Sequence, residues 1–284
     1  WQKSRDGGGW VDISRTEITY SETPSLAGAW EYRAEVRSGA CDAVYSASHT
    51  VNVAENTVGG TVTGGTTPLC IGSSTGSMSL SGHVGDVVKW QRQLDGGSWT
   101  DIGHTTTTYS EIPASDGTWQ YRAVVQSSPC SQENSVPVTI EVSPTTIGGA
   151  VTGGTTPICL GTSTGTMTLS GYVGSITKWQ RSTDGGSTWT DITHTAATYA
   201  ETPSVSGSLQ YRAVVQSGAC SPVNSSVVSI EVNPTTAGGA VTGGTTPICL
   251  GEDVGTMTLS GHVGDIVKWQ RSTDSGSSWT DISH

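Results

Sequence analysis

The sequence predicts an all-β protein made of tandem sandwich-like repeats, and three observations carry that prediction. The dipeptide Trp-Gln recurs at Trp1, Trp90, Trp179 and Trp269, at intervals of 89 or 90 residues. Between these points apolar and polar residues alternate with a period of two, which is typical of β-strands with one buried face. Glycine makes up 38 of the 284 residues, and Gly-rich turns separate the alternating runs.

The repeat period divides the chain into four parts. Residues 1–53 correspond to the C-terminal half of a repeat, 58–142 and 147–232 to complete repeats, and 237–284 to the N-terminal half of another. We therefore expect the chain to be a piece of a much longer array. Its connectors are short, which favours a semi-rigid string of repeats over independent domains.

About seven strands can be recognised within the 58–142 repeat. Met78 and Leu80 share one face of a strand, and Val88 and Trp90 share one face of the next. Two later strands alternate in the same way, with one face formed by Trp119, Tyr121, Ala123 and Val125, and by Val136, Val138, Ile140 and Val142. A single sheet of this kind cannot bury its apolar face, so two sheets must pack face to face.

Two aromatic residues indicate the type of sandwich. Trp90 on the third strand and Tyr121 at the start of the sixth fit the immunoglobulin-like plan. The positions that usually hold an inter-sheet disulfide carry Leu80 and Ala123 instead. The predicted fold class is therefore an all-β tandem array of immunoglobulin-like β-sandwich repeats of about 89–90 residues.

Six cysteines follow the same period and indicate disulfides in an oxidising, extracytoplasmic setting. Each complete repeat has a first and a second cysteine. The first cysteines are Cys70, Cys159 and Cys249, and the second cysteines are Cys41, Cys130 and Cys220. Pairing between neighbouring repeats would join cysteines 29 residues apart and use all six, whereas pairing within a repeat would leave two unpaired.

Geometry favours disulfides within each repeat. In an immunoglobulin-like sandwich the start of the first strand and the end of the sixth lie at one pole, while the next repeat begins ~25–40 Å away. Disulfide-bonded Cα atoms lie within about 7 Å of each other. We therefore predict the disulfides Cys70–Cys130 and Cys159–Cys220, with Cys41 and Cys249 bonded to partners outside the fragment.

Composition excludes several classes of function. The formal net charge is −11, which argues against nucleic-acid binding, because that binding needs a basic surface. No stretch of about 18 apolar residues is present, so we expect no membrane insertion by this segment. Neither histidines nor acidic residues show the spacing of metal ligands, and we predict no metal and no cofactor.

Two motifs could suggest an enzyme. Gly72-Ser-Ser74-Thr-Gly76 matches the nucleophile-elbow pattern, but that pattern needs a following helix, and Asp253 takes the place of the serine in the last repeat. The run from Ser182 to Trp189 resembles the Asp-box of sialidases and related propellers, which is a structural hairpin turn in those families. A propeller would repeat every ~40–50 residues. We interpret both motifs as turns and predict no catalytic residue and no enzymatic activity.

A tryptophan follows each Asp-box turn and is a candidate ligand contact. An exposed ring in this position could stack on a sugar and give weak multivalent binding. The alternative, which we favour, is that the ring packs on its hairpin or on the core. The candidate glycan contacts are Trp99, Trp189 and Trp279.

The spaced motifs of a repeat also support a family resemblance. They are Gly-Gly-x-Val-x-Gly-Gly before the first cysteine, Leu-Ser-Gly-His-x-Gly before the core tryptophan, and Gln-Tyr-Arg-Ala-Val-Val-Gln-Ser before the second cysteine. This combination resembles the immunoglobulin-like repeats of giant surface proteins of gliding Bacteroidota. The resemblance implies disulfides matching Cys70–Cys130 and Cys159–Cys220 and carries over no catalytic or ligand residue.

The resemblance also implies a function. Such arrays are usually exported by the type IX secretion system and form filamentous cell-surface adhesins involved in adhesion and gliding motility. The expected partners are an external surface or polysaccharide and the motility and secretion machinery of the cell envelope. The alternative is a passive stalk or accessory module of a secreted multidomain enzyme such as a glycoside hydrolase.

Overall fold

The computed structural model describes residues 1–283, so the last residue of the 237–284 half repeat lies outside the described residues. The described chain forms 28 strands and no helix, and these strands build sandwiches that recur along the sequence. The predicted all-β array of β-sandwich repeats is therefore confirmed. One compact unit comprises Trp1–Thr145 together with Gly218–Cys220, and the rest of the described chain forms a second unit.

The first complete repeat consists of a three-stranded and a larger sheet. Its strands are β7 (Thr61–Gly64), β8 (Leu69–Cys70), β9 (Met78–Ser81), β10 (Asp86–Leu94), β11 (Thr100–Ile102), β12 (Thr108–Tyr109), β13 (Gly117–Gln126), β14 (Glu133–Asn134) and β15 (Val138–Ser143). The small sheet has the order β12-β9-β7, and the larger one has the order β11-β10-β13-β15-β8, with β14 added to β13.

The second complete repeat has the same topology. Its strands are β16 (Ala150–Gly153), β17 (Ile158–Cys159), β18 (Met167–Ser170), β19 (Ser175–Ser182), β20 (Thr190–Ile192), β21 (Thr198–Tyr199), β22 (Gly207–Gln216), β23 (Val223–Asn224) and β24 (Val228–Asn233). Strands β16, β18 and β21 form the small sheet, and the others form the larger one.

The two terminal segments contain only part of this topology. The first has β1 (Gln2–Arg5), β2 (Val11–Asp12), β3 (Gly28–Arg33), β4 (Glu35–Val36), β5 (Val44–Tyr45) and β6 (His49–Val53). The last has β25 (Ala240–Gly243), β26 (Met257–Ser260), β27 (Trp269–Arg271) and β28 (Thr280–Ile282).

The core of each complete repeat lies between its two sheets. In the first repeat Met78, Trp90, Tyr121 and Ile140 have no exposed surface, as the alternation of apolar residues predicts. Full burial of a large apolar side chain stabilises the fold by about 1.5–3 kcal/mol. Leu80 is also buried in this core, so an apolar residue fills a position where an immunoglobulin domain carries an inter-sheet cysteine.

A β-bulge changes the inward face of strand β10. The register against β13 shifts between Val87 and Lys89, so Val87 is buried and Val88 is 37% exposed. The predicted sharing of a face by Val88 and Trp90 is therefore wrong. The extra residue of a bulge reverses the alternation locally.

The first strand of each complete repeat changes sheets, and this change determines where the first cysteine lies. Strand β7 belongs to the small sheet, whereas β8 pairs in parallel with β15, the last strand of the repeat. Leu69 lies opposite Val142 and Cys70 opposite Ser143. The first cysteine therefore lies at the C-terminal end of the last strand.

Candidate functional site

The disulfide of the structure differs from the predicted ones. Cys70 is bonded to Cys220, with 4.7 Å between the two Cα atoms and 150 residues between them in sequence. The predicted pairs Cys70–Cys130 and Cys159–Cys220 are therefore wrong. The alternative pairing of cysteines 29 residues apart does not form either.

The physical reason lies in the direction of the strands. We expected the first cysteine at the start of the first strand, but Cys70 ends that strand, beside the C-terminal end of β15. Cys130 follows β13, which is antiparallel to β15, so it lies at the opposite pole. Strand β13 has ten residues, about 30 Å at ~3.3 Å per residue, far beyond the ~7 Å that a disulfide allows between Cα atoms.

The other four cysteines are free thiols in this structure. Cys41, Cys159 and Cys249 are exposed, and Cys130 is half-buried, with its Sγ 3.4 Å from the carbonyl oxygen of Glu55. The expectation that Cys41 and Cys249 bond to partners beyond the chain stays a prediction. The disulfide itself is typical of proteins that fold outside the cytoplasm.

A partly buried carboxylate cluster, which we did not predict, recurs in three repeats. In the first complete repeat Glu111 accepts hydrogen bonds from the hydroxyls of Tyr109 and Tyr121, at 2.6 and 2.7 Å, and pairs with the guanidinium of Arg92. Its backbone is also held, because the amide of Thr75 donates to its carbonyl oxygen at 2.8 Å. The cluster ties the small sheet to the larger one.

The same arrangement occurs around Glu201 and Glu22. Glu201 accepts hydrogen bonds from Tyr199 and Tyr211, at 2.6 and 2.7 Å, and pairs with Arg181 at 2.9 Å. Glu22 of the first half repeat pairs with a lysine, Lys3, instead of an arginine. The motif Thr-Tyr-x-Glu occurs in both complete repeats, at Thr108–Glu111 and Thr198–Glu201, and could have identified the cluster.

Hydrogen bonding determines the charge state of these carboxylates. Burial alone would raise the pKa of Glu111, but the hydrogen bonds from Arg92, Tyr109 and Tyr121 outweigh it, and the net pKa lies below its ordinary value. Burial and the neighbouring carboxylate raise the pKa of Tyr121. The cluster is thus an ionised carboxylate held by neutral tyrosines, which is a structural arrangement that links strands.

The Asp-box segment forms the hairpin turn that we predicted. Asp184 accepts a hydrogen bond from the amide of Thr188 at 2.8 Å, and Ser182 accepts one from the amide of Gly186 at 2.9 Å. Gly186 has a φ of +90°, which a residue with a side chain rarely adopts. Hydrogen bonds from Thr188 and Ser182 lower the pKa of Asp184 to about 2.

The shorter turn of the first complete repeat uses its aspartate differently. Asp95 itself has a positive φ of 49°, and its Oδ1 accepts a hydrogen bond from the amide of Thr118 at 2.8 Å. The aspartate thus closes the turn onto β13 rather than within itself. Both versions are structural turns.

The Gly-x-Ser-x-Gly segments are also turns. The hydroxyl of Ser74 accepts a hydrogen bond from the amide of Gly76 at 3.2 Å, and Asp253 accepts one from the amide of Gly255 at 2.9 Å. Serine and aspartate therefore have the same role as hydrogen-bond acceptors. This explains why one replaces the other between repeats.

The candidate sugar-stacking tryptophans have different environments. The guanidinium of Arg122 lies 4.0 Å from the ring centre of Trp99, and that of Arg212 lies 3.9 Å from the ring centre of Trp189. Each of these two rings thus has one face covered by a cation–π contact. Trp279 is 59% exposed. The binding of a glycan at these three residues stays a prediction.

All the lysines and arginines of the complete repeats lie on strands and have partners. In the first complete repeat Lys89 pairs with Asp101 at 2.7 Å, Arg92 pairs with Glu111, and Arg122 also donates to Gln91. The second complete repeat has the same three interactions, made by Lys178, Arg181 and Arg212. Within residues 1–283 no three side chains of His, Cys, Asp or Glu form a group that could hold a metal ion.

The described chain contains no helix with the length and apolar composition needed to cross a membrane.

Comparison with known proteins identifies a domain family in every repeat. The model of a family described as a domain of unknown function, DUF8696, matches residues 1–55, 58–144, 147–234 and 237–284. No protein with a curated description matches the chain significantly.

Several solved structures are distantly similar. The FN1–FN3 domains of chicken CNTN1 are 13% identical with a TM-score of 0.33, and the match covers 68% of this chain and 71% of that one. The fibronectin(III)-like modules of Clostridium thermocellum CbhA are 15% identical with a TM-score of 0.27, over 60% of this chain and 92% of that one. Extracellular domains 3–5 of Drosophila OTK are 14% identical with a TM-score of 0.26, over 64% and 67% of the two chains.

Proposed function

We propose that this chain, which belongs to the DUF8696 family in all four of its repeats, is a non-enzymatic segment of a large filamentous bacterial cell-surface adhesin. The observation that carries the proposal is the repetition of one β-sandwich with the same core and the same carboxylate cluster. Repetition of whole domains increases reach and the number of weak contacts rather than adding new chemistry. The resemblance to the repeats of gliding Bacteroidota supports the same role.

The strand order suits a protein that carries tension. Strand β8, near the start of the repeat, pairs in parallel with β15 at its end. Tension between the two ends of the repeat pulls these strands past each other, so their hydrogen bonds are loaded together rather than broken one by one. The β17–β24 pair repeats this arrangement.

The proposed partners are of two kinds, one outside the cell and one in the cell envelope. The array contacts an external surface or polysaccharide, and its parent protein engages the type IX secretion and gliding machinery. Trp189, which lies in a complete repeat and is half-buried with Arg212 over one face, is the first residue to test as a sugar contact. An array of weak sites would bind a polysaccharide through avidity.

Live-cell labelling tests the proposal. Serum raised against the 147–234 repeat is applied to unpermeabilised cells of the producing bacterium, and serum absorbed with the purified chain is the control. Foci that move along the cell support a gliding adhesin, and static surface labelling supports adhesion without motility. A signal confined to the culture medium would contradict the proposal and favour a module of a secreted enzyme.

A further inference from the structure

We propose that Cys70–Cys220 is one member of a series of disulfides in which the first cysteine of each repeat bonds to the second cysteine of the next repeat. Cys159 and Cys130 are then the attachment points for a following and a preceding repeat of the same kind. The proposal concerns covalent architecture and holds whether or not the array adheres to a surface.

The first cysteines of the two complete repeats occupy the same place in the fold. Cys70 lies opposite Ser143 at the C-terminal end of β15. Cys159 lies opposite Asn233 at the C-terminal end of β24, in the same parallel pairing. Each first cysteine is therefore next to the point where the chain leaves its repeat, and Cys159 is exposed there.

The second cysteines also occupy equivalent places. The Sγ of Cys220 lies 3.2 Å from the carbonyl oxygen of Pro144, and the Sγ of Cys130 lies 3.4 Å from that of Glu55. Pro144 and Glu55 both stand four residues before the Gly-Gly pair that opens the repeat. Each second cysteine therefore lies beside the connector through which the chain enters its repeat.

The neighbouring backbone positions each second cysteine in the same way. The amide of Ser217 donates to the hydroxyl of Thr146, and the amide of Ser127 donates to the hydroxyl of Thr57, both at 3.0 Å. The segment before each second cysteine is thus fixed to the connector by the same hydrogen bond in both complete repeats. The connector that begins at Pro144 therefore follows the strand that ends beside Cys70, and Cys220 lies beside the same connector.

The free thiols follow from this register. The 237–284 segment contains Cys249 but no second cysteine, so Cys159 has no partner in this chain. The 1–53 segment contains Cys41 but no first cysteine, so Cys130 has none either. The cysteines left unpaired by the proposed register are the four that are free in the structure.

Formation of each bond is an ordinary thiol–disulfide exchange. One thiolate attacks a small-molecule or protein disulfide in the surrounding medium and forms a mixed disulfide, and the second thiolate then displaces the other half of the oxidant. Two protein thiols lose two protons and two electrons, and the oxidant is reduced to two thiols. The closed loops overlap, because each first cysteine lies inside the loop closed by the preceding disulfide.

Disulfide mapping of the chain refolded in oxidised and reduced glutathione tests the register. Alkylation of free thiols and mass spectrometry should find one disulfide, Cys70–Cys220, and four alkylated cysteines. Pairing within repeats would instead give two disulfides and two alkylated cysteines, and that result would overturn the proposal. Absence of any disulfide would overturn it as well.

Addition of one repeat gives the sharper test. A chain with residues 147–236 duplicated in tandem gains one first and one second cysteine. We expect two disulfides and still four alkylated cysteines, with Cys159 bonded to the second cysteine of the added repeat. An unchanged single disulfide, or a bond within the added repeat, would refute the register.

The variant Cys70→Ser is the matched control on the original chain. The proposed register predicts that Cys220 becomes alkylated and that no disulfide remains. A Cys159–Cys220 bond formed in this variant would contradict the proposal. The extended chain keeps Cys70, so its outcome does not depend on whether this variant folds.

Discussion

Replacement of Glu111 by glutamine should destabilise one repeat and leave the other intact. Glu111 is the carboxylate that holds Tyr109, Tyr121 and Arg92, and its side chain is only 12% exposed. E111Q keeps the shape of the side chain but removes its charge. The variant therefore measures what the ionised carboxylate contributes to the sandwich.

The contacts of the cluster determine the expected magnitude. Hydrogen bonds to a charged group contribute about 1.5–3 kcal/mol each, and neutral ones about 0.5–1.5 kcal/mol. The glutamine oxygen can still accept from Arg92 and Tyr109, and the hydroxyl of Tyr121 can turn to accept from the amide. The loss is then the difference between charged and neutral bonds, about 2–3 kcal/mol in the free energy of unfolding.

Hydrogen exchange followed by mass spectrometry resolves the effect by repeat. A loss of 2–3 kcal/mol corresponds to roughly 30- to 140-fold faster exchange of core amides, since about 1.4 kcal/mol is a factor of ten. We expect this change in peptides from 58–144, with peptides from 147–234 unaffected. The mirror variant E201Q should reverse the pattern.

The exposed Glu133 provides the control for loss of a negative charge. E133Q should change the free energy of unfolding by less than about 0.5 kcal/mol, as surface substitutions usually do, and exchange of the core amides should change correspondingly little. If E111Q and E133Q had the same small effect, the cluster would not stabilise the sandwich and the reasoning would be refuted. Equal losses in both repeats would refute the assignment of the effect to one repeat.

Three further outcomes follow. Folding lowers the pKa of Glu111 and of Glu201, so the contribution of these carboxylates to fold stability is present above the ordinary pKa and is lost as pH falls through the lowered pKa. Thermal melts should therefore show Tm falling below about pH 4.5, and the double variant E111Q/E201Q should flatten that decline. Asp184→Ala should remove the acceptor of the Thr188 amide, and hydrogen exchange of that amide should become faster. An unchanged exchange rate would contradict the turn structure. Arg122→Ala should uncover one face of the Trp99 ring and increase acrylamide quenching of its fluorescence. Arg122→Lys, which keeps a cation over the ring, should show no such increase.

The core could be predicted from sequence because a strand places alternate residues on opposite faces. Met78 and Leu80 are buried as their alternation with serines indicates. The same rule gave a wrong face for Val88, because the bulge inserts one residue without a distinctive local signal. Local periodicity thus predicts a face only as long as the register is regular.

The disulfide could not be predicted from the spacing of the cysteines. It depends on where β7 ends and β8 begins, since this change of sheet brings Cys70 to the end of β15. The sequence gives the positions of the turns but not the sheet that each short strand joins. The carboxylate cluster, in contrast, had a signal in the repeated Tyr-x-Glu spacing, seen at Tyr109 and Glu111 and at Tyr199 and Glu201.

The position of the basic residues has a consequence for proteolysis. Proteases of trypsin-like specificity cleave after lysine or arginine and need several residues around that bond in an accessible, extended conformation. In the complete repeats these residues all lie on strands with neighbours on both sides: Lys89, Arg92, Arg122, Lys178, Arg181 and Arg212. The loops of the complete repeats contain no lysine or arginine, so such proteases reach their cleavage sites in these repeats only after a sandwich has opened.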